Sequence, residues 1–275
     1  MTLSLCCALA CVPLMSALAQ DDASVRTAQR LMQSSGLAVQ LRGLPAQMET
    51  DFRQSSALLD QKLMETLLAA ARSSFQPELL EADITARVAR KLTLADMNAA
   101  LAWLDSAAGE RITRAEELGS TEFDAGRYAQ YVQSLRKKQL SDQRAQMLAA
   151  VVSATNGAEA ALATQEAIAL GVAMGMDTLQ PPERRLGEAT LRVRVHQAVR
   201  SEQARSAIAE QLLPLYAYFY RDVPEADLAA YARFLGTTGG KRYQQGMTDA
   251  YVESLRRASI RVGELAGAHQ RRTSM

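Results

Sequence analysis

The stretch DMNAALAWLDSAAGER, residues 96–111, returns later in the chain as DLAAYARFLGTTGGKR, residues 227–242. The two blocks align without a gap and share an acidic first residue, an aromatic–leucine pair and a Gly–x–Arg ending. Two matching blocks in the same order predict a duplicated helical unit. The shared positions, called the repeat motif below, are Asp96, Trp103, Gly109 and Arg111 in the first block and Asp227, Phe234, Gly240 and Arg242 in the second.

A second pair of matching segments follows the two blocks. Residues 131–136 read YVQSLR and residues 251–256 read YVESLR, and the first copy carries additional residues around 118–128. Chance similarity between Ala-rich helices is the alternative explanation, and the shared aromatic and Gly–x–Arg positions make it the weaker one. The motif glycines interrupt the helical pattern, which predicts either a positive φ or the close approach of another helix.

The repeat divides the chain into predicted units. We expect a signal peptide at 1–19, a first helical unit at 20–145, a second at 146–265 and a frayed tail at 266–275. Tandem domains and one intertwined bundle both fit this pattern, and tandem domains are the favoured arrangement.

Composition predicts the fold class. The 275 residues are 48% hydrophobic and 22% charged, so the chain is long enough for one or two domains with a real core. Only 7 Pro and 15 Gly are present, while Ala, Leu, Gln, Arg and Met abound; straight side chains lose little rotamer freedom in a helix. No stretch alternates apolar and polar residues as a strand would. The sequence therefore predicts an all-α, bundle-like fold.

Prolines and capping residues place several helix ends. A proline suits the first turn of each of two predicted helices, over residues 45–72 and 77–91. Thr93 with Asp96 three residues later resembles a capping box. These signals predict that a new helix begins just before the first copy of the motif.

The first nineteen residues carry the features of an export signal. Met1–Ala19 holds no Lys, Arg, Asp or Glu, is mostly apolar and ends in the cleavage pattern Ala17-Leu18-Ala19. The run is too short to span a bilayer. We expect cleavage, a periplasmic mature chain and no transmembrane span. A buried N-terminal helix and lipidation at Cys11 are the less favoured alternatives, and cleavage removes all three cysteines, Cys6, Cys7 and Cys11.

The repeat motif resembles the domain of unknown function twenty fifty-nine family, which is found in exported proteins of Gram-negative bacteria. The match rests on the acidic residue, the first aromatic, the hydroxyl residues Ser106 and Thr237, and the glycine of each block. Leu104 and Leu235 replace that family's second aromatic, and both copies lack its proline. The resemblance implies an exported helical protein and indicates no substrate.

Few residues are available for catalysis. Lys+Arg 31 against Asp+Glu 30 leaves a net charge of +1, so no strong field attracts nucleic acid. The mature chain would hold no thiol, and His196 and His269, the only histidines, are too far apart in sequence for a local metal motif. The pair Glu116-Glu117 suits a solvated helix face. We expect no enzyme activity, no cofactor and no metal site.

Aromatic residues concentrate near the end of the second unit, where eight of the 14 fall between positions 216 and 251. Core packing is the default explanation, and an aromatic-lined pocket or partner groove is the functional one. The residues proposed for such a ligand or partner surface are Tyr216, Tyr218, Tyr220, Tyr231 and Phe234.

Three functions of different classes remain open. An envelope interaction or structural protein with an unknown protein partner comes first, a periplasmic binder of a small apolar or amphipathic ligand second, and an enzyme last. Basic clusters at 136–138 and 256–257 suit the end of a helix, where cations are favourable. An anionic lipid or envelope polymer is the alternative explanation for these clusters.

Overall fold

A computed structural model describes residues 12–55 and 61–273 of the chain. These ranges contain no strand, and the all-α prediction is confirmed. The predicted signal peptide lies largely outside the described residues, and so do its three cysteines. The helices are α1 Val12–Ser34, α2 Leu37–Ser55, α3 Gln61–Ser74, α4 Pro77–Lys91, α5 Leu94–Leu104, α6 Ala107–Thr121, α7 Ala125–Lys137, α8 Asp142–Ala154, α9 Gly157–Asp177, α10 Gly187–Val199, α11 Glu202–Phe219, α12 Glu225–Gly236 and α13 Thr238–Thr273.

The predicted helix starts at Pro77 and Thr93 are confirmed, and the predicted start at Pro45 is wrong. α4 begins at its proline, and the capping box is present, since the Thr93 hydroxyl accepts from the Asp96 amide at 3.1 Å. The helix predicted over 45–72 is instead two helices, with Pro45 inside α2. Gly36, at φ +70°, ends α1 and starts α2 eight residues earlier than the proline signal indicated.

α9 and α13 run parallel and approach more closely than ordinary side chains allow. Each carries two glycines four residues apart, Gly171 and Gly175 on α9 and Gly263 and Gly267 on α13. A methyl group on Gly175 would overlap the carbonyl oxygen of Ile260. Small residues at this spacing let two helix backbones touch. This contact packs α13, the longest helix of the described chain, directly against α9.

The chain end departs from expectation. The tail predicted to fray from residue 266 continues α13 to Thr273. Ala266 is fully buried, and the Leu179 side chain lies directly over Gly267. Residues 266 and 267 therefore pack within the fold, with Gly267 against Leu179, which follows α9.

One hydrophobic core includes residues from both halves of the chain. α13 packs against α9 and also against α3, α4 and α5, while α12 packs against α6. Phe75 and Leu31 from the first half and Leu228 and Leu255 from the second are among the fully buried side chains. Residue 145, the predicted boundary, lies inside α8, and the division into two units stays a prediction. None of the described helices combines the length and the apolar character needed to cross a membrane.

Candidate functional site

Each motif copy forms a helix, a tight turn and a second helix, and a hydroxyl residue caps the second helix. Ser106 directly precedes α6, and Thr237 directly precedes α13. The Ser106 hydroxyl accepts from the Gly109 amide at 3.1 Å, and the Thr237 hydroxyl accepts from the Gly240 amide at 3.0 Å. The same hydroxyls donate to carbonyl oxygens in the last turn of the preceding helices, those of Trp103 and Phe234, at 2.6 Å. One polar side chain therefore satisfies groups of both helices.

The motif glycines are required by close approach. Neither has a positive φ. A methyl group on Gly109 would overlap the carbonyl oxygen of Trp103, and one on Gly240 would overlap that of Phe234. The sequence expectation of a positive φ is thus wrong, and the alternative of close approach is confirmed; the approaching group is the end of the preceding helix.

The two copies contact each other through the same residues in exchanged roles. The Arg111 guanidinium of the first copy binds Asp227 of the second through two hydrogen bonds of 2.6 and 2.9 Å. Arg242 of the second copy donates to Asp96 of the first at 3.3 Å. Both arginines hold the pKa of their carboxyl partners below the usual range. At Asp96 the first cause of this lowering is the hydrogen bond from Thr93.

The aromatic residues of the two motif copies also stack on each other. Trp103 and Phe234 occupy corresponding positions, and their rings lie 4.7 Å apart and 9° from parallel. Tyr231 stacks on the same Trp103 ring at 5.0 Å. The repeat motif is therefore an internal contact surface between the two halves.

Beside each ion pair lies a cleft, and the two clefts occupy corresponding places. The first, called the aromatic cleft, has a volume of about 240 Å³ and lies between α6, the start of α7 and the loop 220–224. The second, called the polar cleft, lies between the end of α4 and the start of α13. The aromatic cleft is lined by Arg111, Arg114, Ala115, Leu118, Gly119, Glu122, Arg127, Tyr218, Phe219, Arg221, Asp222, Val223 and Pro224.

The shift that takes Asp96 to Asp227 also relates the linings of the two clefts. Lys91 and Asp249 line the polar cleft and pair at 2.9 Å. Asp222 and Leu118 hold the corresponding positions in the aromatic cleft and form no such pair. Arg114 stands where the polar cleft has a glutamine. One cleft therefore carries an ion pair at these two positions, whereas the other has a leucine in place of the carboxylate of that pair.

Aromatic side chains and a guanidinium extend the wall of the aromatic cleft. Tyr218 lies edge-on to Phe123 and Tyr128, with ring centroids 6.2 and 5.5 Å away. Arg221 lies over the Tyr218 ring at 4.6 Å, within the range of a cation–π interaction. Leu118 is 43% exposed and Phe123 is 45% exposed. The cleft thus combines exposed apolar surface with arginines, and two carboxylates also line it.

Arg144 of α8 fixes the loop that forms one wall of the aromatic cleft. Its guanidinium donates to the carbonyl oxygens of Tyr220, Arg221 and Val223, at 2.5, 3.3 and 3.1 Å. These carbonyls follow the end of α11, where cations also complement the helix dipole. Arg144 therefore positions the loop without lining the cleft.

Replacing Arg144 by methionine should release this loop. Met keeps much of the stem but donates no hydrogen bonds, so we expect a loss of about 1–3 kcal/mol in the free energy of unfolding. We also expect faster amide exchange in residues 220–223. Arg136→Met, on the exposed surface of α7, is the matched control. Equal exchange rates in the two variants would contradict a positioning role.

A polar network of two buried tyrosines and the half-buried Glu116 lies behind the aromatic cleft. Glu116 accepts hydrogen bonds from the hydroxyls of Tyr220 and Tyr231, at 2.5 and 3.2 Å, through the same carboxylate oxygen. Burial raises the pKa of Glu116 to about 7, although both hydroxyls stabilise its charged form. The expectation of a solvated face is therefore wrong for Glu116. The corresponding position in the second copy is Met247, which is also buried, so the fold does not require a carboxyl group there.

The five aromatic residues predicted from the sequence do not form one surface. Tyr220, Tyr231 and Phe234 are buried in the core. Tyr216 packs edge-on to Tyr220 at 5.7 Å and shares a hydrogen bond with Thr155. Of the five, only Tyr218 lines one of the described clefts.

Other polar groups singled out in the sequence are paired with neighbours. His196 lies 3.1 Å from a carboxylate oxygen of Glu166, which also binds Arg200. In the described part of the chain, no three potential ligands cluster as a metal ion would require. Arg256 and Arg257 pair with Glu253 and Asp83.

Comparison with known proteins gives no information about the function of this site. No protein-family model matches the chain, and neither the curated proteins nor the solved structures include a match. The resemblance to the domain of unknown function twenty fifty-nine family stays a prediction.

Four residues of the site were missed by the sequence reasoning, namely Arg114, Leu118, Phe123 and Arg144, while Glu116 was named but assigned to a solvated face. A signal for two of them was present. Extending the alignment of the two blocks seven residues beyond position 111 places Leu118 against Asp249 and Arg114 against Gln245. Such a change from charged to apolar between two copies marks a position where they differ in chemistry.

Proposed function

We propose that this chain is an exported, non-catalytic binding protein that holds a protein partner of the cell envelope in its aromatic cleft. Export rests on the features of residues 1–19. The observation that carries the binding function is the difference between the two corresponding clefts. At two corresponding positions the polar cleft has the Lys91–Asp249 ion pair, whereas the aromatic cleft has Asp222 and an accessible Leu118, with Arg114 also accessible beside them.

The chemistry of the cleft suits a protein surface. Tyr, Phe and Arg are enriched where interfaces have their strongest contacts, because large rigid rings and guanidinium groups contribute most binding energy. Arg114 and Arg127 offer donors for a carboxylate, and Leu118 and Phe123 offer apolar area. The partner would present an apolar side chain next to an acidic group.

A conversion variant tests this proposal. Leu118→Asp combined with Arg114→Gln gives two positions of the aromatic cleft the residues that the polar cleft has there, and so removes an apolar side chain and a guanidinium. Both positions are exposed, so we expect little change in stability. We expect at least a tenfold fall in the amount of partner that copurifies from envelope extracts, which corresponds to a loss of about 1.4 kcal/mol in binding.

The control for the conversion variant is Leu79→Asp, because Leu79 is 49% exposed on α4 and lines none of the described clefts. It should copurify the partner at the wild-type level. Equal recovery with the conversion variant and the wild type would remove the aromatic cleft as the binding site.

A groove elsewhere supports a second candidate function, the binding of a small neutral amphipathic ligand. It lies between α2, α9 and α13, has a volume of about 520 Å³ and is lined by no charged residue. Pockets of this volume hold small ligands. Gln40, Gln47 and Gln165 supply amides, and Tyr251 supplies a hydroxyl at an apolar wall.

Native mass spectrometry of the gently purified mature chain tests this second function. A bound ligand would add a few hundred daltons that disappear on denaturation. Ala161→Phe should abolish the addition, because Ala161 lines the groove, whereas Ala149→Phe on the exposed face of α8 should retain it. A bare chain in every preparation would remove the ligand-binding function.

A further inference from the structure

We infer that the surface joining the two halves of this chain is a self-complementary dimer interface closed within one molecule, and that a second copy of the chain can occupy it by exchanging halves. In the mature chain the halves are residues 20–137 and 142–273. This inference concerns a partner other than the one proposed for the aromatic cleft.

The contacts between the halves have the pattern of a two-fold symmetric interface. In such an interface, residue i of one subunit meets residue j of the other, and residue j of the first meets residue i of the second. Arg111 meets Asp227 while Arg242 meets Asp96. Trp103 and Phe234 meet each other, as residues beside a two-fold axis do.

Whole elements repeat the same exchange. α6 of the first half packs against α12 of the second, and α13 packs against α5. Within each half the order of contacts also corresponds: α1 packs against α4 and α5 as α8 packs against α11 and α12. Both α1 and α8 end at a residue with positive φ, Gly36 at +70° and Asn156 at +52°.

The connection between the halves allows exchange. Only residues 138–141 join α7 to α8, and of these all but Leu140 are exposed. Short connections between units with complementary surfaces are where domain swapping occurs. Each half can pair with the other half of its own chain or with that same half of a second copy, because the two surfaces are identical. The protein concentration and the conformation of residues 138–141 then decide between the closed monomer and the exchanged dimer.

Two full-length charge-reversal chains test the exchange. The first carries Asp96→Arg and Arg111→Asp, and the second carries Asp227→Arg and Arg242→Asp. Alone, each chain places like charges at both ion-pair positions. If the two chains exchange halves, the two substituted halves meet in the mixed dimer and form both ion pairs with the charges reversed. The two unsubstituted halves meet as well and form both wild-type ion pairs.

The chains are refolded from denaturant separately and as an equal mixture, and then weighed by native mass spectrometry. We expect a dimer with one chain of each kind to exceed either homodimer at least tenfold in the mixture, since charge complementarity selects partners. The milder pair, Arg111→Asp and Asp227→Arg in separate chains, repeats the test with less disruption. A mixture that contains only the species formed by each chain alone, in both sets, would overturn the inference.

Discussion

Replacing Gly175 by alanine should destabilise the protein more than any other single methyl group added to α9. The new methyl would overlap the Ile260 carbonyl oxygen and the backbone of α13 near Gly263. Neither is a flexible side chain, so the two parallel helices must move apart along a buried contact. We expect the free energy of unfolding to fall by about 3 kcal/mol, at the upper end of typical overpacking effects.

Urea unfolding of Gly175→Ala and the wild type measures this effect. Gly236→Ala is the matched control, because a methyl there would meet no atom within 4 Å and the φ of Gly236 is not positive. That control should lie within about 1 kcal/mol of the wild type and on the stable side, as helix propensity predicts. Equal midpoints for the two variants would contradict the close contact of α9 and α13.

Replacing Glu116 by glutamine should remove most of the pH dependence of stability between pH 4.5 and 7. The folded-state pKa of Glu116 is raised from 4.5 to about 7, first because burial disfavours the charged carboxylate. Between these values the folded state holds a proton that the unfolded state has released, so the wild type loses stability as the pH rises. The full shift corresponds to about 3 kcal/mol, and we expect about 2 because Glu116 retains some exposure.

Unfolding free energies at pH 5 and pH 8 decide this prediction. The wild type should lose about 2 kcal/mol more than Glu116→Gln across the interval, since the amide still accepts from both tyrosine hydroxyls and never ionises. Glu110→Gln, on the exposed surface of the same helix, should keep the wild-type slope. If the unfolding free energies of the wild type and Glu116→Gln changed equally with pH, the result would contradict a raised pKa and place the Glu116 carboxyl group in a solvated environment.

Helix content and several boundaries were predictable because they depend on local chemistry. The Thr93 capping box needs only side chains within three residues of the helix start. Pro45 misled because proline is tolerated inside a helix when tertiary packing supports it, and the helix start was decided by Gly36. The glycine pairs on α9 and α13 were visible in the sequence, but which helices they join depends on the fold.

The candidate site was harder to predict because its residues come from distant parts of the chain. Tyr218 sits with Phe123 and Tyr128, and Glu116 sits under Tyr220, through packing that no local pattern specifies. Local charge pattern indicated a solvated Glu116, since the neighbouring arginines are visible in sequence and the covering tyrosines are not. A position-by-position comparison of the two motif copies would have found Arg114 and Leu118, because these residues differ in chemistry from Gln245 and Asp249.

Paired photo-crosslinking in living cells tests most directly whether the aromatic cleft is the binding site. A photoreactive amino acid replaces Leu118 in one strain and Asp249, its counterpart in the polar cleft, in another. Position 118 should give one protein adduct that is lost when Arg114→Gln is added, and position 249 should not give it. The same adducts from both positions, or none from position 118, would contradict a partner held in the aromatic cleft.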